Sequence, residues 1–148
     1  MGSRIRALVV EDDDATREML CQALNDAGFD AVAALDGMHA LRTSLAKRPQ
    51  VILLDLGMPN LDGSGYLKQW RERDPGARKV PVIVMSGLGY GEQIAEQVGG
   101  VKFLSKPFDI DEAIAALEAH GKAWRGGVTK ERHDSGVDLQ GAPCSCLV

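Results

Sequence analysis

The chain has 148 residues, of which 45% are hydrophobic and 26% are charged, and its formal net charge is −4. This size and composition are typical of one soluble domain with a single core, and no apolar run approaches the roughly 18 to 20 residues of a membrane helix. The acidic balance disfavours direct nucleic-acid binding, because phosphate contacts need clustered Lys and Arg. With no secretory signal pattern, and with three cysteines that form neither a disulfide framework nor a zinc ligand set, the sequence predicts a cytoplasmic protein.

Short apolar runs alternate with amphipathic stretches along the chain. In chain order the runs predict strands at residues 5–10, 30–35, 51–54, 80–85 and 101–104. The stretches between and after them predict helices at residues 15–27, from 36 or 37 through 45, around 66–70, at 92–98, and from 109 or 111 through 119. Because parallel strands need crossover helices, five such pairs predict a parallel sheet with helices on both faces.

Polar and charged residues follow the predicted strands. Glu11 and Asp12 follow the first strand, Asp55 the third, Ser86 the fourth and Lys106 the fifth. Ligands of parallel sheets gather beyond the carboxyl ends of the strands, so these side chains are expected to meet there. Carboxylates at one site repel each other unless a cation is present, and oxygen ligands favour Mg²⁺. An aspartate beside such a metal, with a lysine and a hydroxyl nearby, can accept a phosphoryl group.

Each of these residues has an ordinary explanation when it is taken alone. A run of acids is usually a solvated loop or a helix cap, Asp55 could be a turn residue, and a Lys-Pro dipeptide carries little information. Their order, each at the end of a predicted strand, favours a common site over these separate explanations.

Four segments resemble the signature blocks of the receiver domain of two-component response regulators. In chain order they read VVEDDDATRE, VILLDLGMPNLDG, VPVIVMSG and VKFLSKPF. The resemblance covers about residues 4–121 and implies an α/β, flavodoxin-like, doubly wound five-stranded parallel sheet with strand order 2-1-3-4-5. It also implies Mg²⁺-dependent transfer of a phosphoryl group from the phosphohistidine of a histidine kinase, or of a histidine phosphotransfer protein, to an aspartate. Such a domain is a signalling switch that catalyses its own phosphotransfer and dephosphorylation, and it acts on a downstream protein partner.

The resemblance also assigns roles to single residues. Asp55 matches the phosphoacceptor, Ser86 the hydroxyl that bonds the phosphoryl oxygens, and Lys106 the lysine that neutralises them. Phe103 matches the aromatic switch position, which rotates inward when the hydroxyl residue is drawn to the phosphate. Gly57 matches the residue whose backbone carbonyl binds the metal.

The same resemblance gives different roles to the four consecutive acids at residues 11–14. Glu11 and Asp12 belong to the metal site together with Asp55, with Asp12 expected to bind directly and Glu11 through water. Asp13 and Asp14 fall at the start of the first helix, where acids cap free N–H groups and complement the helix dipole. By resemblance alone, the bond between Lys106 and Pro107 is expected to be cis.

Three departures from the common pattern affect the predicted output and lifetime of the phosphorylated form. The segment from Ser86 to Lys106 looks about two residues short, and it includes part of the family's usual output face. Gly87 replaces the more frequent Ala, which adds backbone freedom. Gly57 and Leu88 offer no polar side chain to orient or obstruct water, so the phosphoryl lifetime is left open.

Residues 122–148 are rich in Gly and polar residues and predict a mostly disordered tail. The chain is therefore expected to be a stand-alone receiver, either a terminal switch or a relay carrier. One alternative is a degenerate receiver that binds partners without phosphorylation. Another is a hydrolase with an aspartyl-phosphate intermediate, although such enzymes use an acid two positions after the nucleophile, where this chain has Gly57. Cys146 is third from the end, so the chain does not end in the motif for a lipid anchor. Cys144 and Cys146 are therefore predicted to be incidental residues of the tail.

Overall fold

The computed structural model describes residues 4–57, 63–87, 89 and 91–130, with side chains described through residue 121. Within that part of the chain, five parallel strands form one sheet in the order β2-β1-β3-β4-β5. The strands are β1 Arg6–Val10, β2 Asp30–Ala34, β3 Val51–Asp55, β4 Val82–Ser86 and β5 Lys102–Ser105. The helices are α1 Asp14–Asp26, α2 Gly37–Lys47, α3 Gly63–Arg73, α4 Gly91–Gln97 and α5 Ile110–Lys130. The predicted flavodoxin-like strand order 2-1-3-4-5 is confirmed.

The sheet separates two hydrophobic layers. Alternate residues of each central strand point to opposite faces, so Leu53 and Leu54 of β3 belong to different layers. One layer packs the sheet against α2, α3 and α4, and its largest buried side chain is Trp70 of α3. The other packs it against α1 and α5, as at Leu20 and Leu117. Strands β3 and β4 are buried along their whole length, as continuous apolar runs predict.

Local capping determines where the chain turns at the carboxyl edge of the sheet. The Asp13 carboxylate accepts hydrogen bonds from the backbone N–H of Thr16 at 2.8 Å and from its hydroxyl at 2.6 Å. Asp13 is therefore the N-cap of α1, as predicted. In the same way Asp36 caps α2 by accepting from the N–H of His39. These caps leave Glu11 and Asp12 in the short loop between β1 and α1.

Some element boundaries differ from the predicted ones. The fourth strand begins at Val82 rather than Val80, because the Val80 N–H is used by a 3-10 helix, Pro75–Lys79, and Pro81 has no N–H to donate. Helix α5 continues to Lys130, past residue 121, where the predicted domain ends. The predicted tail begins at residue 122, so its first nine residues belong to α5. Residues 131–148, which include Cys144 and Cys146, lie outside the described residues, and for them the predicted disorder stays a prediction.

Candidate functional site

Four strands bring polar side chains to one edge of the sheet. Glu11 follows β1, Asp55 ends β3, Ser86 ends β4, and Lys106 follows β5. Glu11, Asp55 and Ser86 are 1%, 5% and 1% exposed, so this edge holds buried polar groups that an ordinary core would not contain. Buried polar groups of this kind are stable only when they have partners.

The three predicted metal-binding carboxylates lie together. Glu11, Asp12 and Asp55 each offer one carboxylate oxygen, and these oxygens lie within 4.8 Å of one another. Glu11 and Asp55 are buried, whereas Asp12 is exposed at the mouth of the cluster. An all-oxygen donor set of this size fits a hard divalent cation such as Mg²⁺ and would suit a soft metal poorly.

Lys106 lies against two of these carboxylates. Its Nζ donates a hydrogen bond to Glu11 Oε1 at 2.8 Å and lies 3.4 Å from Asp55 Oδ2. The peptide bond between Lys106 and Pro107 is cis, as the resemblance implied. The closer contact of the lysine is thus with Glu11, which the sequence did not indicate.

The pKa values of Glu11 and Lys106 record this arrangement. Burial raises the pKa of Glu11, an effect only partly offset by the hydrogen bonds from Lys106 and from the backbone N–H of Asp13. Burial lowers the pKa of Lys106. The hydrogen bond to Glu11 and the negative charge of Asp55 raise it by more, so the pKa of Lys106 is raised overall. The ammonium group therefore stays charged where it can neutralise anions.

The two oxygens of Asp55 have different partners. Oδ1 accepts a hydrogen bond from the backbone N–H of Gly57 at 3.1 Å, and Oδ2 faces Lys106. The Gly57 contact closes a small turn directly after β3 and orients the carboxylate. Residues 58–62 and Leu88, which the sequence analysis considered, lie outside the described residues.

Ser86 at the end of β4 and Phe103 of β5 pack against the start of α4. The backbone N–H of Lys106 donates to the Ser86 carbonyl at 2.9 Å, which joins the ends of β4 and β5. A Cβ added to Gly91 would lie 2.9 Å from Ser86 Cβ and 3.0 Å from Phe103 Cε1. The first residue of α4 is therefore packed between the predicted hydroxyl and aromatic switch residues. Sequence reasoning missed Gly91, and the available signal was a glycine directly before the predicted helix at residues 92–98.

Arg17 is a second residue that the sequence analysis missed. Its guanidinium donates to the backbone carbonyl of Glu11 at 2.9 Å and to that of Asp12 at 3.5 Å. The available signal was its position inside the block VVEDDDATRE, about one and a half helical turns after the acids.

An acidic cluster beside a lysine at the carboxyl edge of a flavodoxin-like sheet is the arrangement that a receiver domain would have. The family model described as the response regulator receiver domain matches residues 7–118. The chain therefore belongs to the response regulator receiver domain family of two-component signalling.

Relatives of known identity agree with this assignment. The DNA-binding transcriptional regulator NtrC of Escherichia coli K12 is 39% identical over 112 residues, which are 74% of this chain and 23% of that protein. Sporulation initiation phosphotransferase F of Bacillus subtilis 168 is 32% identical over 117 residues, covering 78% of this chain and 92% of that protein. The chain thus spans less than a quarter of NtrC but most of the phosphotransferase.

A solved structure shows the same fold. It is the receiver domain of the sensor histidine kinase PA1611 from Pseudomonas aeruginosa PAO1, with a magnesium ion coordinated in its active site cleft. The TM-score is 0.73 at 26% identity, and the match covers 81% of this chain and 99% of that one.

In the described part of the present chain, no helix is long and apolar enough to cross a membrane.

Proposed function

We propose that this receiver takes a phosphoryl group onto Asp55 from the phosphohistidine of a histidine kinase or a histidine phosphotransfer protein. The reaction depends on Mg²⁺, and it changes the binding of a downstream protein partner. The observation that carries this proposal is the position of Asp55, which belongs to the acidic cluster and whose Oδ2 lies 3.4 Å from Lys106 Nζ. The proposed domain spans residues 4–121, which include the family match at 7–118. A cytoplasmic location stays a prediction.

Three side chains carry out the transfer. A carboxylate oxygen of Asp55 forms a bond to phosphorus while the bond between phosphorus and the donor imidazole nitrogen breaks, and the electron pair of that bond stays with the imidazole. Lys106 Nζ, already 3.4 Å from Asp55, donates to one phosphoryl oxygen. The Ser86 hydroxyl donates to another, since Ser86 ends the neighbouring strand β4.

Glu11, Asp12, Asp55 and the Gly57 carbonyl are the proposed Mg²⁺ site. When bound, Mg²⁺ would offset the negative charge that collects on the phosphoryl oxygens during transfer. Asp12 is exposed and suits direct coordination, whereas Glu11 is buried and already accepts hydrogen bonds from Lys106 and Asp13, which suits contact through water. The magnesium ion in the PA1611 receiver supports this assignment.

The closest alternative activity is hydrolysis through the same aspartyl phosphate. It requires an acid two positions after the nucleophile, and Gly57 occupies that position.

Return of the phosphoryl group from Asp55 to a phosphotransfer histidine would identify a relay carrier, and its absence would identify a terminal switch.

The proposal is tested with Mg²⁺ and acetyl phosphate, followed by intact mass measurement. We expect one phosphoryl adduct on the wild-type chain and none on Asp55→Asn. Asp74→Asn is the matched control, because Asp74 caps the 3-10 helix instead of lying at the site, and it should keep the adduct. If no adduct forms on the wild type at any Mg²⁺ concentration, the degenerate receiver becomes the better explanation.

A further inference from the structure

Arg17 connects α1 to the loop that carries the acidic cluster. Its Nη1 donates to the Glu11 carbonyl at 2.9 Å and to the Asp12 carbonyl at 3.5 Å, and its Nη2 pairs with Asp14. The side chain is only 18% exposed, although it lies on the first turns of a surface helix. A planar guanidinium can hold several acceptors in a fixed arrangement, which a single ammonium group cannot do.

We infer that Arg17 is a positioning residue for the Mg²⁺ site, an inference that rests on the proposed function. Arg17 holds the backbone carbonyls of the two consecutive residues whose side chains enter the acidic cluster. In the part of the chain that the structure describes, no side chain bonds the Asp12 carboxylate, so its place depends on the backbone that Arg17 fixes. Removal of groups that orient metal ligands from outside the coordination sphere typically weakens metal binding 10- to 100-fold.

Charge and position predict opposite effects of removing Arg17. A guanidinium near a divalent cation repels it, so by charge alone the loss of Arg17 should strengthen Mg²⁺ binding. If Arg17 positions the ligands, its loss should weaken Mg²⁺ binding instead. The sign of the change therefore separates the two roles.

Arg6 supplies a matched control. It also donates to a backbone carbonyl, that of Lys47, and pairs with an aspartate, Asp30, at 3.3 Å. It lies at the opposite end of β1, about 17 Å from Glu11 at roughly 3.3 Å per residue. Arg6→Ala thus removes the same formal charge and the same kind of contact, but away from the acidic cluster.

The experiment is a calorimetric titration of the full chain with Mg²⁺. We expect Arg17→Ala to bind Mg²⁺ roughly tenfold more weakly than the wild type. Arg17→Lys should lie between the two, because it keeps the charge but not the planar fork, and Arg6→Ala should stay within about twofold of the wild type. Equal or stronger binding by Arg17→Ala would overturn the inference. Should that variant fail to unfold cooperatively, Arg17→Lys decides: weaker binding supports the inference and equal binding overturns it.

Phosphorylation by acetyl phosphate gives a second readout that a merely structural role would not move. For Arg17→Ala the Mg²⁺ concentration giving half the maximal rate should rise roughly tenfold, while the rate at saturating Mg²⁺ stays within about twofold of the wild type. A lower maximal rate with an unchanged Mg²⁺ requirement would contradict the inference. If the wild type binds Mg²⁺ but is not phosphorylated, only the proposed function fails, and if it does not bind Mg²⁺, both fail.

Discussion

Glu11 is almost fully buried beside another carboxylate, and this affects its protonation. Burial raises its pKa, and Lys106 only partly compensates. A carboxyl whose pKa is higher in the folded state contributes stability that is present below its ordinary pKa and is lost as pH rises through the raised value. Above that raised value the ionised Glu11 therefore destabilises the metal-free protein.

Replacement of Glu11 by glutamine tests this point. In the absence of Mg²⁺, we expect Glu11→Gln to have a higher Tm than the wild type at neutral pH, because the buried charge is removed and Lys106 keeps Asp55 as a partner. The difference should shrink as pH falls toward the ordinary glutamic acid value of about 4.3. Thermal unfolding followed by circular dichroism at both pH values measures it. A lower Tm for Glu11→Gln at neutral pH would show that the Lys106 contact outweighs the cost of burial.

Single residues differ in how far the sequence could predict them. Glu11, Asp55, Ser86 and Lys106 could be placed at one edge because alternating strands and helices put every strand's carboxyl end on the same side. The closer contact of Lys106 with Glu11 than with Asp55 could not be predicted, because it depends on side-chain rotamers and burial that strand order does not determine. Arg17 was missed for a related reason, because it acts through backbone carbonyls that precede its own helix.

Helix α4 is short, and both of its ends are fixed to the rest of the domain. Its first residue, Gly91, packs against Ser86 and Phe103. Beyond its last turn, the Val98 carbonyl accepts a hydrogen bond from Arg71 Nη1 of α3 at 2.8 Å. Because of these contacts, we expect a shift of Ser86 or Phe103 to move the start of this helix.

A substitution at Gly91 should disturb this contact. In Gly91→Ala the added Cβ would meet Ser86 Cβ at 2.9 Å, so the serine, Phe103 or the helix must move. We expect a loss of about 1–3 kcal/mol in the free energy of unfolding, measured by urea denaturation. Gly89→Ala is the control, because a Cβ at Gly89 meets nothing within 4 Å. If Gly91→Ala had the same free energy of unfolding as the wild type, the close packing at Gly91 would not limit stability.

Element boundaries were less predictable than element types. Among the described residues, the pattern of apolar residues predicted all five strands and all five α-helices, but not the 3-10 helix Pro75–Lys79. There the Val80 N–H has two possible uses, in the 3-10 helix or in the sheet, and the apolar pattern does not distinguish them. The continuation of α5 beyond residue 121 was missed because two glycines, Gly126 and Gly127, weaken its helical signal.

At the scale of the whole molecule, Lys106 joins three strands of the sheet. It follows β5 and contacts Glu11 after β1 and Asp55 at the end of β3. A phosphoryl group on Asp55 would compete with Glu11 for this ammonium, which links the chemistry of one residue to the relative positions of several elements.

Removal of the lysine should separate phosphorylation from the response to it. We expect Lys106→Ala to be phosphorylated by acetyl phosphate roughly a hundredfold more slowly, because one charged donor to the phosphoryl oxygens is lost. Once phosphorylated, it should not show the change in hydrogen exchange over α4 and β5 that we expect of the phosphorylated wild type. Lys102→Ala, which removes an exposed lysine of β5, serves as the control. A wild-type exchange response in Lys106→Ala would remove Lys106 from the switch.

The most direct measurement locates the phosphoryl group itself. The wild-type chain is treated with acetyl phosphate and Mg²⁺, digested with pepsin at acid pH, and sequenced by tandem mass spectrometry. The proposed function predicts one added phosphoryl mass, on Asp55, that does not form when Mg²⁺ is chelated before the donor is added. A phosphoryl group on any other residue, or on Asp55 regardless of Mg²⁺, would contradict it.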